Sequence, residues 1–187
     1  MHLKIVNSPV SMDGLHQIQG EPVINQTRKL KDIENIFKQQ EFLINMDMEQ
    51  TAYSVQAWMP VSEGTEGGLF FGASTIYPGR VGKEYFMTKG HFHKISDRTE
   101  FYWGIRGEGM LILMDRKRNT RAERVHPGSI HYIGSDIAHR LANTGHQELI
   151  VGACWPSDAG HDYDEIAVNG FSARLLDIDG IPTLIND

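Results

Sequence analysis

Between Ala52 and Trp155 the chain divides into nine short segments that alternate with turn signals, and this rhythm constrains the fold more than any other feature. The segments read AYSVQAW, LFFGASTIY, GKEYFMTKGHFH, EFYWGIRG, GMLILM, RAERVH, SIHYIG, AHRLANTG and ELIVGACW. They are rich in β-branched and aromatic residues, which suit a pleated, half-buried surface. Pro78-Gly79, Arg106-Gly107, Pro127-Gly128 and Thr144-Gly145 punctuate them, because glycine supplies the positive φ that tight turns need and proline presets φ. Many short strands at fairly even spacing predict an all-β sandwich or barrel.

Upstream the pattern differs. Residues 1–26 carry Asn7, Ser8, Pro9, Gly14, Gly20 and Pro22 and read as an arm or short edge strands. Thr27–Gln40 places Leu30, Ile33 and Phe37 on one stripe with charges opposite, which predicts a helix capped by Thr27. The expected organisation is residues 1–50 as an N-terminal arm and helix packed on a barrel of residues 51–187, within a single structural domain. No repeat or low-complexity linker divides the 187 residues.

Composition bounds the function. A formal charge of −6 with 22% charged residues opposes a nucleic-acid partner, which needs a basic face to meet phosphates. A local group of cations can still receive a small anion. Cys154 is the lone cysteine, so no internal disulfide forms, which suits a reducing compartment. The N-terminal residues lack the apolar run of a signal peptide, and no stretch approaches the roughly 20 apolar residues of a membrane span. The expectation is a cytoplasmic protein with no membrane partner.

Thr88 to Tyr102, TKGHFHKISDRTEFY, carries the chemistry. Alternate residues of a strand share a face, so His91 and His93 project together while Phe92 faces the core. A polar turn from Lys94 to Thr99 leads to Glu100, placed to oppose the histidine pair across a ladder. His139, in GSIHYIGSDIAHRLANTG, is the candidate fourth ligand. Imidazole nitrogens with one carboxylate suit Fe²⁺, Mn²⁺, Zn²⁺, Ni²⁺ or Cu²⁺, and the expected cofactor is one such divalent ion per subunit.

GHFHKISDRTEFYWGIRGEG followed by PGSIHYIGSDIAHRLANTG resembles the two motifs of the cupin superfamily. More narrowly, EYFMTKGHFH with the downstream HDYDEI resembles the cupin-type glucose-6-phosphate isomerases, first recognised in archaea. The resemblance runs from about Leu69 to Ile166. It implies a cupin jelly-roll β-barrel, a homodimer, a divalent metal on His91, His93, Glu100 and His139, and interconversion of glucose 6-phosphate and fructose 6-phosphate in glycolysis and gluconeogenesis.

Such an isomerase moves a proton between C1 and C2 and needs a base, an electrophile and a phosphate handle. Glu100 is the expected base as well as a ligand. The handle is expected at Thr88-Lys89-Gly90, where glycine lets backbone N–H approach an anion. Strict alternation sends Thr88 and Gly90 away from the histidine face, and a bulge at Gly90 resolves the conflict. The resemblance carries phosphate contacts to Thr88, Gly90 and a hydroxyl at Ser74 or Thr75. It also closes His161 and Tyr163 over the sugar, with His161 moving hydroxyl protons. Tyr102, two residues beyond Glu100, and Tyr53 are further candidates for substrate contact. Arg98 and Trp155 are left open, Arg98 as either an anion contact or a solvent-facing charge. The rival readings are a metal-dependent cupin dioxygenase and a non-catalytic sugar-binding cupin. His2, His16, His126, His131 and His146 read as structural or solvated, GIRGEG as a hairpin turn, and Cys154 as a small hydrophobe.

Overall fold

The computed structural model describes residues 5–187, and His2 lies outside them. Fifteen strands and one short helix succeed one another: β1 (Val10–Met12), β2 (Ile18–Gly20), β3 (Val23–Lys29), β4 (Thr51–Trp58), β5 (Leu69–Ile76), β6 (Arg80–Val81), β7 (Glu84–Tyr85), β8 (Glu100–Arg106), β9 (Gly109–Asp115), β10 (Thr120–Val125), β11 (Ile130–Ile133), β12 (Ile137–Asn143), β13 (Leu149–Pro156), α1 (Asp164–Asn169), β14 (Ala173–Ile178) and β15 (Ile181–Asn186).

One antiparallel sheet runs β11-β8-β13-β5-β4-β3. The second runs β10-β9-β12 and is extended past β12 by the segment Met87–Phe92, through bridges Met87↔Ala142 and His91↔His139. From β8 to β13 the chain crosses repeatedly between the two sheets, and the long returns place β13 beside β5 and β12 beside the 87–92 segment. This is the jelly roll. The smaller sheet β15-β14-β7-β6 caps one side.

The interior is filled by Ile76, Leu111, Leu113, Ile133, Leu141 and Val151, all essentially inaccessible. On β11 the alternation is plain: His131 and Ile133 are buried, Ile130 and Tyr132 exposed, as the two-residue period of a strand requires. Both faces of β9 are covered, which accounts for its unbroken run MLILM.

Eight of the nine segments read from the sequence form strands. The ninth, GKEYFMTKGHFH, pairs regularly only at β7 and otherwise runs extended between bridges to β12 on one side and Asp162 on the other. From Met87 to His91 it is one residue longer than its β12 partner. The surplus is absorbed at Gly90, whose φ of +77° is the left-handed region glycine tolerates. The bulge expected there is present.

The helix expected over Thr27–Gln40 is absent. Gln26, Thr27 and Arg28 pair with Val55, Ser54 and Tyr53 as strand β3, and the chain then makes 3₁₀ turns at Leu30–Asp32, Glu34–Ile36 and Gln40–Asn45. The apolar stripe was nonetheless a true signal: Leu30, Ile33 and Phe37 are buried in the core. Successive 3₁₀ turns satisfy a three-and-four spacing as well as an α-helix does. Thr27 caps nothing; the Lys29 N–H donates to the Asp32 carboxylate at 2.8 Å instead. Because β3 pairs with β4, the sheet continues without a break across the expected boundary at residue 50.

Candidate metal centre and active site

His91, His93 and His139 bring ring nitrogens within 4.8 Å of one another. His91 and His139 are held face to face by reciprocal backbone bonds, His91 N–H to the His139 carbonyl at 3.3 Å and the reverse at 3.0 Å. Glu100 arrives differently from expectation. It opens β8, which pairs with β11 and β13, not with the histidine segment. It therefore meets the histidines across the barrel interior rather than along a ladder. Its Oε2 lies 3.2 Å from the Nε2 of both His93 and His139, and the carboxylate is 5% exposed.

The ring orientations show what the cluster is built to hold. His93 Nδ1–H donates to the Arg98 carbonyl at 2.8 Å, and His139 Nδ1–H to the Ile137 carbonyl at 3.2 Å. A carbonyl only accepts, so each Nδ1 carries the proton and each Nε2 turns a lone pair inward. His91 Nε2 and His139 Nε2 are buried without a hydrogen-bond partner. Buried polar atoms rarely stay unsatisfied, and lone pairs facing a carboxylate repel it unless a cation lies between them. The donor set, three neutral imidazoles and one carboxylate, fits a divalent transition metal.

Three of the four carry clear shifts. Burial, followed by the charges of His139, His161 and His93, pushes His91 well below the usual histidine range. Burial lowers His93 too, but the neighbouring Glu100 carboxylate and the Arg98 carbonyl outweigh that and raise it. Burial alone would raise Glu100, yet the close His139 and His93 rings hold it below its ordinary value, so it is ionised at neutral pH.

Above the cluster lies a cavity of about 920 Å³ lined by Tyr53, Ser74, Thr88, Gly90, Glu100, Tyr102, His139, Arg140, Trp155, His161 and Tyr163, among others. His161 stacks on Tyr163 with rings 5.7 Å apart and 11° from parallel, and both rings stand against His91, at 4.4 and 5.4 Å. Asp162 between them bridges to Phe92, so the HDY loop is tied to the His91–His93 segment. Burial lowers the pKa of His161 and keeps its ring neutral. Tyr102 stands edge-on to His139 at 5.7 Å, and burial raises its phenol well above the usual range. Burial pushes Tyr53 up to about 12, against a hydrogen bond with the Lys89 backbone. Thr88 Oγ1 accepts the Leu141 N–H at 3.1 Å.

Some expectations are refined. Ser74 lines the cavity and Thr75, on the other face of β5, does not. Lys89, expected as a solvated surface charge although alternation places it on the histidine face, is half-buried and lines the cavity. Arg98 is neither an anion contact nor a free surface charge: its guanidinium grips Asp158 through two bonds of 2.9 and 2.8 Å and Asp97 through one of 2.8 Å. Trp155 packs edge-on against Phe70 at 5.9 Å. Arg140 was not foreseen; the sequence offers only its place beside His139 in AHRLANTG.

A jelly roll whose inward histidines and glutamate converge beneath an open cavity is a cupin-type barrel. A family model described as glucose-6-phosphate isomerase (GPI) matches residues 27–181. The chain is 38% identical to a glucose-6-phosphate isomerase of Thermococcus kodakarensis over 153 residues, covering 82% of this chain and 80% of that protein. It is 37% identical to the Pyrococcus horikoshii enzyme of the same name, with 82% and 81% covered. Among solved structures it resembles an oxalate oxidase, with a TM-score of 0.48, 14% identity, and 62% of this chain and 56% of that chain covered. The chain belongs to the glucose-6-phosphate isomerase family, a family of isomerases.

Proposed function

We propose that this chain is a metal-dependent aldose–ketose isomerase that interconverts glucose 6-phosphate and fructose 6-phosphate through a cis-enediol(ate), with Glu100 as the base. The observation that carries the reading is one buried, ionised carboxylate placed 3.2 Å from two histidine nitrogens at the floor of the cavity. Family membership supports the substrate.

A divalent ion held by His91, His93, Glu100 and His139 would supply a Lewis acid that acidifies the carbon next to the sugar carbonyl. Glu100 removes the proton from C2 of the aldose and returns it to C1 of the ketose. The two carbons are neighbours, so one carboxylate serves both steps. A second proton passes from O2 to O1, and His161 moves it. A neutral imidazole both accepts and donates, and burial keeps His161 in that form. Tyr102 and Tyr163 offer hydroxyls that stay protonated, since burial raises both. Thr88, Gly90 and Ser74, which line the cavity together with Tyr53, are the groups assigned to the phosphate. Outside the barrel, Ile130, Tyr132 and Phe101 form an exposed apolar face on β8 and β11, which supports pairing of two chains in a homodimer.

The test is to strip the protein with EDTA, restore single divalent metals, and follow glucose 6-phosphate formed from fructose 6-phosphate. Activity that tracks metal and is lost in Glu100→Gln is expected. Oxygen uptake without isomerisation would instead identify a dioxygenase, and binding without turnover a sugar-binding protein.

A further inference from the structure

The Arg140 guanidinium is 7% exposed as a residue and its charge has no acidic partner close by among the described residues. Nη2 donates to the Lys89 carbonyl at 2.9 Å, Nη1 approaches Met87 Sδ at 3.1 Å, and the group lies 4.0 Å above the Phe171 ring. Nε has no partner at all. Glu84, a buried carboxylate nearby in the fold, accepts the backbone N–H groups of Lys38 and Gln39 at 2.9 Å each and forms no ion pair with Arg140.

A carbonyl, a thioether and a ring do not require a cation. Leaving one buried against them is unfavourable, and an apolar side chain of the same length fits such surroundings better. The charge is explained by what Arg140 touches. Lys89 is the middle of the Thr88–Gly90 loop, which shares the cavity with Arg140. A Cβ built on Gly90 would stand 3.0 Å from Arg140 Nε and 2.8 Å from Phe171 Cε2, so glycine here keeps the loop pressed onto the guanidinium.

We propose that Arg140 is the positioning residue for the substrate's phosphate: it fixes the Thr88–Gly90 loop through the Lys89 carbonyl and lends that loop the positive charge which selects a phosphorylated over an unphosphorylated sugar. This rests on reading the cavity as a phosphosugar site. The loop contributes geometry through Thr88 and the backbone at Gly90, while Arg140 contributes the field. Charge-assisted recognition of this kind separates anion from neutral ligand by roughly ten- to hundredfold.

The experiment compares metal-loaded wild type, Arg140→Met and Arg140→Lys. It measures KM and kcat for fructose 6-phosphate, direct binding of fructose 6-phosphate and of fructose, inhibition by inorganic phosphate, and Tm. In Arg140→Met the KM and phosphate inhibition constant should rise about ten- to hundredfold while kcat and fructose binding hold. Tm should hold or rise, since an uncompensated buried charge is gone. Arg140→Lys should recover part of the affinity. An unchanged preference for the phosphosugar in Arg140→Met, or a fall in Tm with both sugars weakened equally, overturns the proposal. Wild type that binds fructose 6-phosphate in an Arg140-dependent way without isomerising it would overturn the isomerase reading and leave this one standing.

Discussion

Two groups of buried histidines sit in this barrel and they are wired in opposite ways. His131 on β11 is closed off: Nδ1 pairs with Glu123 at 2.8 Å and Nε2 with the Ser129 hydroxyl at 2.9 Å. Both nitrogens have partners, and nothing else approaches. His91 and His139 keep an inward Nε2 without a partner, although the His139 ring is anchored from outside at Nδ1 by the Ile137 carbonyl. Satisfied buried polar groups hold a fold together, whereas unsatisfied ones that converge are reserved for a ligand. Exposure does not separate the two groups, since His131 and His139 are both buried. The partner of each nitrogen does.

The comparison breaks most sharply if the open cluster can be altered without loss of chemistry. Glu100→Gln keeps the shape and removes the base, so isomerisation should fall by at least about a thousandfold. Comparable turnover in that variant would sink the catalytic role. His131→Ala is the mirror case. It should leave kcat and metal content alone and cost about 1–3 kcal/mol of stability, because Glu123 and Ser129 lose their shared partner. Loss of bound metal in His131→Ala would erase the distinction between the two clusters.

A smaller effect is expected at the bulge next to His91. Gly90→Ala forces a Cβ onto a φ of +77° and against Phe171 and Arg140. This should lower stability by about 1–2 kcal/mol and raise KM more than it lowers kcat, read from urea melts and steady-state kinetics. A variant as stable as wild type would show the loop to be loosely held. The smallest effect lies at the far surface, where Lys29 and Lys31 hold Glu49 down to about 2. A depressed carboxylate stabilises above its ordinary pKa and loses that contribution as pH falls through its folded value. Tm of wild type and Glu49→Gln should therefore differ slightly at neutral pH and converge towards pH ~2. Full exposure makes the difference small, and a gap that widens in acid would contradict the sign.

The barrel was legible because each of its strands announces itself locally, by composition and by a turn at its end. The candidate cluster was legible because His91, His93 and Glu100 lie within one short stretch and His139 follows a Pro-Gly turn. What the sequence concealed is tertiary. Spacing alone does not distinguish a helix over residues 27–40 from a strand followed by 3₁₀ turns, because both bury Leu30, Ile33 and Phe37. Pairing with β4 decided it. Glu100 was assigned to the right cluster for a partly wrong reason, since the barrel and not a ladder brings it there. Strands β14 and β15 and the short helix α1 passed unread beyond the last clear turn. Arg140 was missed because a lone arginine in a strand reads as a surface residue until its neighbours are known.

The most direct measurement is the metal content of purified protein set beside its isomerase activity. The account predicts about one divalent ion per chain, removed together with activity by chelation and absent from His93→Ala and His139→Ala, while His131→Ala retains it. Full isomerisation by protein shown to be metal-free, or an ion that persists when those two histidines are gone, would contradict it.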